Sequence, residues 1–269
     1  MFSIRFRLFG VPVLISIWYW ITLALFAYAF GFANRGWERF AAFILASFLV
    51  EFAKGMSEVI AGRVFGYQGA LVFEGMGGGA TGDYQTATGV KRSIIAFAGP
   101  LGGFIVYAIC YFSVNSVTAH LQPRLPLNWQ LPLNDFFGHM MVFSLYFALL
   151  RLFPVLNYPG GIILRETLIG MFGRSGNRLA YFISFLVAAG VAAFSGYKMA
   201  HPEVPFLDEI LMGPVFHPAM GKFKGGFPLF TLIIFALMAL SNLWKFVSPW
   251  FGRREKPAEP GDGLEARPL

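Results

Sequence analysis

Glu51, Lys54 and Glu58 are the first residues in this chain whose types and spacing suggest chemistry. With Arg63 near its end, all three interrupt an otherwise apolar stretch from Phe40 to Phe65. Spacings of three and four residues place them on one face of a helix, so Glu51, Lys54 and Glu58 follow one another along it. Charge inside an apolar span is expensive unless paired or hydrated, and by default it marks a functional site. The alternative is a side chain that reaches out to an interface. A second candidate is Arg151, which closes the apolar stretch from Phe136 to Leu150 just before Pro154, Pro159, Gly160 and Gly161. That pattern predicts a discontinuous helix, a feature also found in transporters. The run Gly77-Gly78-Gly79 suggests a phosphate loop, but it lacks the Lys-Ser/Thr ending and a following helix in register, so no nucleotide is expected.

Metal chemistry finds little support in the residue inventory. The four histidines, His120, His139, His201 and His217, show neither HxxxH nor HxH spacing. His139 reads as a packed or interfacial histidine, or as a cofactor or partner contact. Cys110 is the one cysteine, so no internal disulfide can form and thiolate zinc chemistry is not expected. Trp18-Tyr19-Trp20 reads as an interfacial belt or lipid-facing surface, with a pigment or quinone pocket as the alternative.

The elements that must position these residues are membrane spans. Of 269 residues, 57% are hydrophobic and 13% charged, against roughly 25% charged in soluble domains. The stretches from Leu8 to Asn34 and from Ser93 to Asp135 exceed the roughly 20 residues that cross a bilayer. The fold class expected is an α-helical polytopic membrane protein with about six transmembrane helices: Val13 to Ala33, Phe40 to Phe65, Ser93 to Val117, Phe136 to Leu150, Leu179 to Tyr197 and Gly226 to Trp244. Between the second and third, the glycines from Tyr67 to Thr88 predict one or two short strands or a re-entrant loop. Residues 118–134 and the segment carrying His201, Asp208, Glu209 and His217 read as loops. Residues 1–251 form one transmembrane domain, and 252–269 a disordered polar cytoplasmic tail.

The net charge of +7 suits loops facing anionic membrane lipid, and nucleic acid is not an expected partner. Arg5, Arg7, Arg63, Lys91, Arg92, Arg165, Arg174, Arg178 and the basic tail fall on the side of the termini. By the positive-inside rule both termini are cytoplasmic. The first apolar stretch is too long for a signal-peptide core. Short loops and the absence of a transit peptide favour the bacterial plasma (inner) membrane.

Four segments together resemble the site-2 protease family of intramembrane zinc metalloproteases. They are Phe9-Gly10-Val11-Pro12-Val13 ahead of the first helix, Lys54 to Gly66 with its Arg63-Val64-Phe65-Gly66 ending, Ala98-Gly99-Pro100-Leu101, and Arg151 to Gly161 with its Pro and paired Gly. Order and spacing agree over roughly residues 9–165. The departures fall on the catalytic positions. HExxH lets two histidines one turn apart hold zinc while the Glu polarises water, but Lys54, Gly55 and Glu58 stand where His, Glu and His are expected. The third ligand, an Asp, is replaced by Pro159, and an assisting Asn by Arg151. Neither a catalytic residue, a metal nor any other cofactor is therefore expected. Packing of the broken helix against the HExxH helix, as the resemblance implies, brings Arg151 to Glu51, Lys54 and Glu58 in an intramembrane ion-pair cluster.

The expected function is that of a pseudoprotease which binds or scaffolds transmembrane protein partners, as a client holder or an accessory subunit of a membrane complex. The resemblance assigns client binding to a strand region containing Ala70, Leu71, Val72, Phe73, Gly77, Gly78 and Gly79. The alternatives are an active zinc metalloprotease with unconventional ligands and a transporter.

Overall fold

A computed structural model describes residues 2–29, 36–75, 77–205 and 228–248. The elements in chain order are β1 (Ser3–Leu8), β2 (Val11–Ser16), α1 (Ile17–Ala29), α2 (Trp37–Val64), β3 (Gly69–Glu74), β4 (Gly77–Gly82), α3 (Gly89–Leu121), α4 (Leu127–Arg151), α5 (Pro159–Phe172), α6 (Arg174–Ala200) and α7 (Pro228–Val247). The chain is a helical membrane protein with a small mixed sheet. Helices α2, α3, α4 and α6 are long and apolar enough to cross a bilayer, whereas α1 and the stretch Thr231–Val247 of α7 are apolar but shorter.

The strands lie in the order β1-β2-β3-β4. β1 and β2 form an antiparallel hairpin with Leu8 opposite Val11. Its two turn residues, Phe9 and Gly10, both have positive φ, the geometry that matches the twist of paired strands. β2 then runs parallel to β3 through Val13–Leu71, Leu14–Val72 and Ile15–Phe73. Pro12 precedes that register, so its missing N–H costs no bond to β3. β3 and β4 are antiparallel, with Phe73 opposite Gly78.

The first expected span is therefore corrected: Val13 to Ser16 belongs to a strand. Val11, Val13 and Ile15 alternate inward in the β-branched pattern of a half-buried strand, hidden in an apolar stretch that reads by length as a helix. The Gly-rich region is two strands of this sheet. The loop expected at 118–134 shrinks as well, because α3 runs to Leu121, a single 3-10 turn follows and α4 starts at Leu127. Pro132 lies in the second turn of α4, where its ring removes only the bond to the carbonyl of Asn128. The expected break after Arg151 is present, with α5 starting at Pro159. The expectations for residues 206–227 and for the tail lie outside the described residues.

α4 is the central helix. Met141, Val142, Ser144 and Ala148 are almost completely buried, and its core joins side chains of α1, α2, α3, α6 and α7. Close approach of α3 comes from glycines. A Cβ on Gly103 would stand 2.8 Å from the Ser144 carbonyl and 2.9 Å from the Ala148 methyl, and one on Gly102 would overlap Ser57 of α2. Gly99 and Gly103 carry the spacing that lets membrane helices pack backbone to backbone. α2 lies on the sheet through Gly55, and Arg63 at its C-terminal end donates to the carbonyls of Phe9 and Gly10. One helix thus fixes both the α3–α4 bundle and the sheet.

Candidate functional site

The face of α2 that packs on α3 and α4, together with the C-terminal end of α4, brings the charged residues together. Lys54 is fully buried, and its Nζ donates to Glu51 Oε1 at 2.6 Å. Arg151 Nη2 donates to the other oxygen, Glu51 Oε2, at 3.1 Å. One carboxylate holds two cations, one from its own helix and one from α4. The Lys54 ammonium also lies 5.2 Å from the centre of the Phe147 ring, a geometry in which the face of the ring attracts the charge.

Glu58 stands close to these groups without bonding to them. It makes none of the salt bridges among the described residues and rests on Gly99 of α3, where a Cβ would overlap its carboxylate. It lines a polar cavity of about 310 Å³ with Tyr84, Arg92, Arg151, Tyr158 and Pro159, and Gly78, Gly79 and Ala80 of β4 form another side. A second, apolar cavity of about 230 Å³ is lined by Tyr19, Phe26, Phe43 and Phe147, with Glu51 and Arg151 as charged residues in its wall. Arg151 and Tyr158 line both.

Gly55 is sterically confined. A Cβ there would stand 2.7 Å from Leu71 Cδ2, within the sheet core. Among the strand residues named above, Ala70, Leu71, Val72 and Phe73 lie on β3, whose two edges are taken by β2 and β4. Gly77, Gly78 and Gly79 lie on β4, at the outside of the sheet. Phe73 covers Gly78 so closely that a Cβ would enter its ring, whereas a Cβ on Gly77 or Gly79 would meet nothing within 4 Å.

Two further residues of the polar cavity had no distinguishing sequence signal. Arg92 reads as one of several loop cations and Tyr84 as one of ten tyrosines. Arg92 Nη1 donates to the Tyr84 carbonyl at 2.9 Å, which fixes the short turn between β4 and α3. Burial holds the Tyr84 phenol above its ordinary range; Glu58 adds to this and Arg92 opposes it.

The positions that the family resemblance equates with zinc ligands do not fit zinc. Catalytic zinc takes three protein ligands. Here a protonated lysine has no lone pair to offer and proline has no side-chain donor, which leaves the carboxylate of Glu58. Among the described residues no group of three His, Cys, Asp or Glu side chains is placed to hold a metal.

No protein-family model and no curated protein matches the chain. A solved structure does, described as "Site-2 Protease from Methanocaldococcus jannaschii". It is 14% identical, with a TM-score of 0.51 over 91% of this chain and 95% of that one. At that identity the likeness concerns the fold, and this chain has a site-2-protease-like fold.

Proposed function

We propose that the chain is a non-proteolytic member of the site-2 protease fold that holds transmembrane protein partners. The observation that carries this reading is the state of Lys54. It is buried, paired with Glu51 and packed on Phe147, at the position that the resemblance gives to the first zinc ligand. An ammonium there supplies positive charge without a coordination site, and Gly55 beside it offers no general base. The outer strand β4 supports partner binding, because as the last strand of the sheet it presents a backbone edge to which an extended segment can add. The reading includes a bacterial inner membrane location with both termini cytoplasmic.

The test is elemental mass spectrometry on protein purified from its native membrane without chelator, with co-purifying proteins identified. Less than a tenth of a zinc per chain together with a constant partner supports the reading. Near-stoichiometric zinc lost together with proteolysis on chelation overturns it.

A further inference from the structure

Strand β1 has two chemically different faces. Ile4, Phe6 and Leu8 stand opposite Ile15, Val13 and Val11 of β2, while Arg5 and Arg7 stand opposite Leu14 and Pro12. Residues paired across an antiparallel ladder share a face, so Ile4 and Phe6 continue the face on which Val11, Val13 and Ile15 enter the sheet core. Of the three β1 residues on that face, only Leu8 packs against this core. Ile4 is 62% exposed and Phe6 40%, and beyond the two ends of the strand Phe2 and Phe9 are 87% and 86% exposed. Arg5 and Arg7 are exposed on the opposite face. A basic face backed by an apolar one is how an amphipathic element lies in a membrane surface.

Both ends of β1 are held at that level. Arg63, which binds the carbonyls of Phe9 and Gly10 at 3.1 and 2.6 Å, lies in the last turn of α2. A helix of 28 residues is about 42 Å long and the hydrocarbon core about 30 Å thick, so the end of α2 stands at a membrane surface. At the other end of the strand, Ile17 at the start of α1 donates its N–H to the Phe2 carbonyl at 3.1 Å. The next residue, Trp18, is half exposed, and tryptophan is enriched at the level of the headgroups. Phe9 is an independent sign. Among the described residues it alone, apart from glycines, has a positive φ, of 50°, where a bulky side chain is an outlier and two-residue turns favour Asn, Asp or Gly. Neither backbone preference nor packing accounts for an exposed phenylalanine at this position, whereas lipid around it does.

We propose that the β1–β2 hairpin lies in the boundary between headgroups and acyl chains, with Phe2, Ile4, Phe6 and Phe9 towards the acyl chains and Arg5 and Arg7 towards lipid phosphates. Neither arginine takes part in a salt bridge among the described residues, so both guanidiniums are left for phosphate oxygens, which they match in geometry. Lipid, and not protein, is thus the occupant of the bare face of β1.

The test uses the full-length chain in nanodiscs of phosphatidylcholine and phosphatidylglycerol. Phe9→Cys, Ile4→Cys and Arg5→Cys, each combined with Cys110→Ala, carry a small fluorescent label at the new thiol. Lipid with a doxyl group near the glycerol end of its acyl chain is expected to quench the label at positions 9 and 4 severalfold more than at position 5. Aqueous iodide should quench in the reverse order. Phe2→Cys repeats the measurement on the same face should Ile4→Cys fail to fold. Iodide quenching at position 9 without an effect of doxyl lipid overturns the proposal. Protection of position 9 from both quenchers also overturns it, because the face is then covered by protein, a second copy of the chain or another part of the same one. Equal quenching of positions 9 and 5 by doxyl lipid overturns the two-sided orientation and with it the role of the arginines.

Discussion

Lys54 Nζ and Glu51 Oε1 stand 2.6 Å apart on one helix, and Arg151 takes the second oxygen of the same carboxylate from across the bundle at 3.1 Å. Glu51 is thereby the joint between α2 and the end of α4. The aliphatic part of Lys54 runs past Gly103 of α3, where a Cβ would lie 3.5 Å from Lys54 Cδ. Three helices meet around one buried lysine.

Lys54→Met should destabilise the protein. Breaking a buried pair by removing one partner is costly, but Arg151 still compensates Glu51, so the expected loss is about 1–3 kcal/mol. Adding Glu51→Gln to Lys54→Met should not recover it, because Arg151 then becomes the unpaired charge. Thermal unfolding in detergent measures both, and an unchanged melting temperature for Lys54→Met would contradict the buried pair.

Placing a glutamate at Gly55, the position that the resemblance gives to the general base, should fail on steric grounds. A Cβ at Gly55 would press on Leu71, which is itself fully buried, so Gly55→Ala is expected to cost about 1–3 kcal/mol as overpacking. Gly55→Glu should be worse. Leu71→Ala should rescue Gly55→Ala in part, and the coupling between the two is read from a double-mutant cycle of unfolding midpoints. Strict additivity would refute the contact.

The three consecutive glycines of β4 should respond differently. Gly78→Ala meets the Phe73 ring and should lower the melting temperature, whereas Gly77→Ala and Gly79→Ala enter open space and should stay within about 0.5 kcal/mol of the wild type. A partner that adds a strand to β4 should be cross-linked by a photoreactive residue at Gly77 or Gly79. A partner that cross-links only elsewhere argues against this strand as the docking edge.

Tyr84 predicts an alkaline effect. Burial raises its phenol above the ordinary tyrosine value, which is about 10, so the folded state holds the proton after the unfolded chain has released it. The stability linked to this group is complete below that ordinary value and is lost as pH rises beyond it. Tyr84→Phe should therefore match the wild type at neutral pH and outlast it in alkaline unfolding. Parallel pH profiles of the two proteins would refute the shift.

Hydropathy and local spacing carried much of this protein. Apolar stretches longer than a bilayer is thick demanded membrane helices, because unpaired backbone is not tolerated in hydrocarbon. Pro154, Pro159 and the glycines beside them required a break, since proline gives up a helical hydrogen bond. That these positions do not fit zinc was equally legible, because donor atoms are a property of residue type: Lys54, Gly55 and Pro159 supply none in the places that the resemblance equates with the zinc site. The likeness to an intramembrane protease was readable in four short segments. What sequence could not determine was which neighbours each charge would find. Glu58 lies one turn beyond Lys54 on the same helix, yet it faces Gly99 and the polar cavity while Lys54 pairs backwards with Glu51. The pairing of Arg151 with Glu51 joins residues 100 positions apart, and the β1–β2 hairpin is concealed at the edge of an apolar stretch. Periodicity determines the face a side chain occupies on its own element; only the packing of distant elements determines what stands opposite that face.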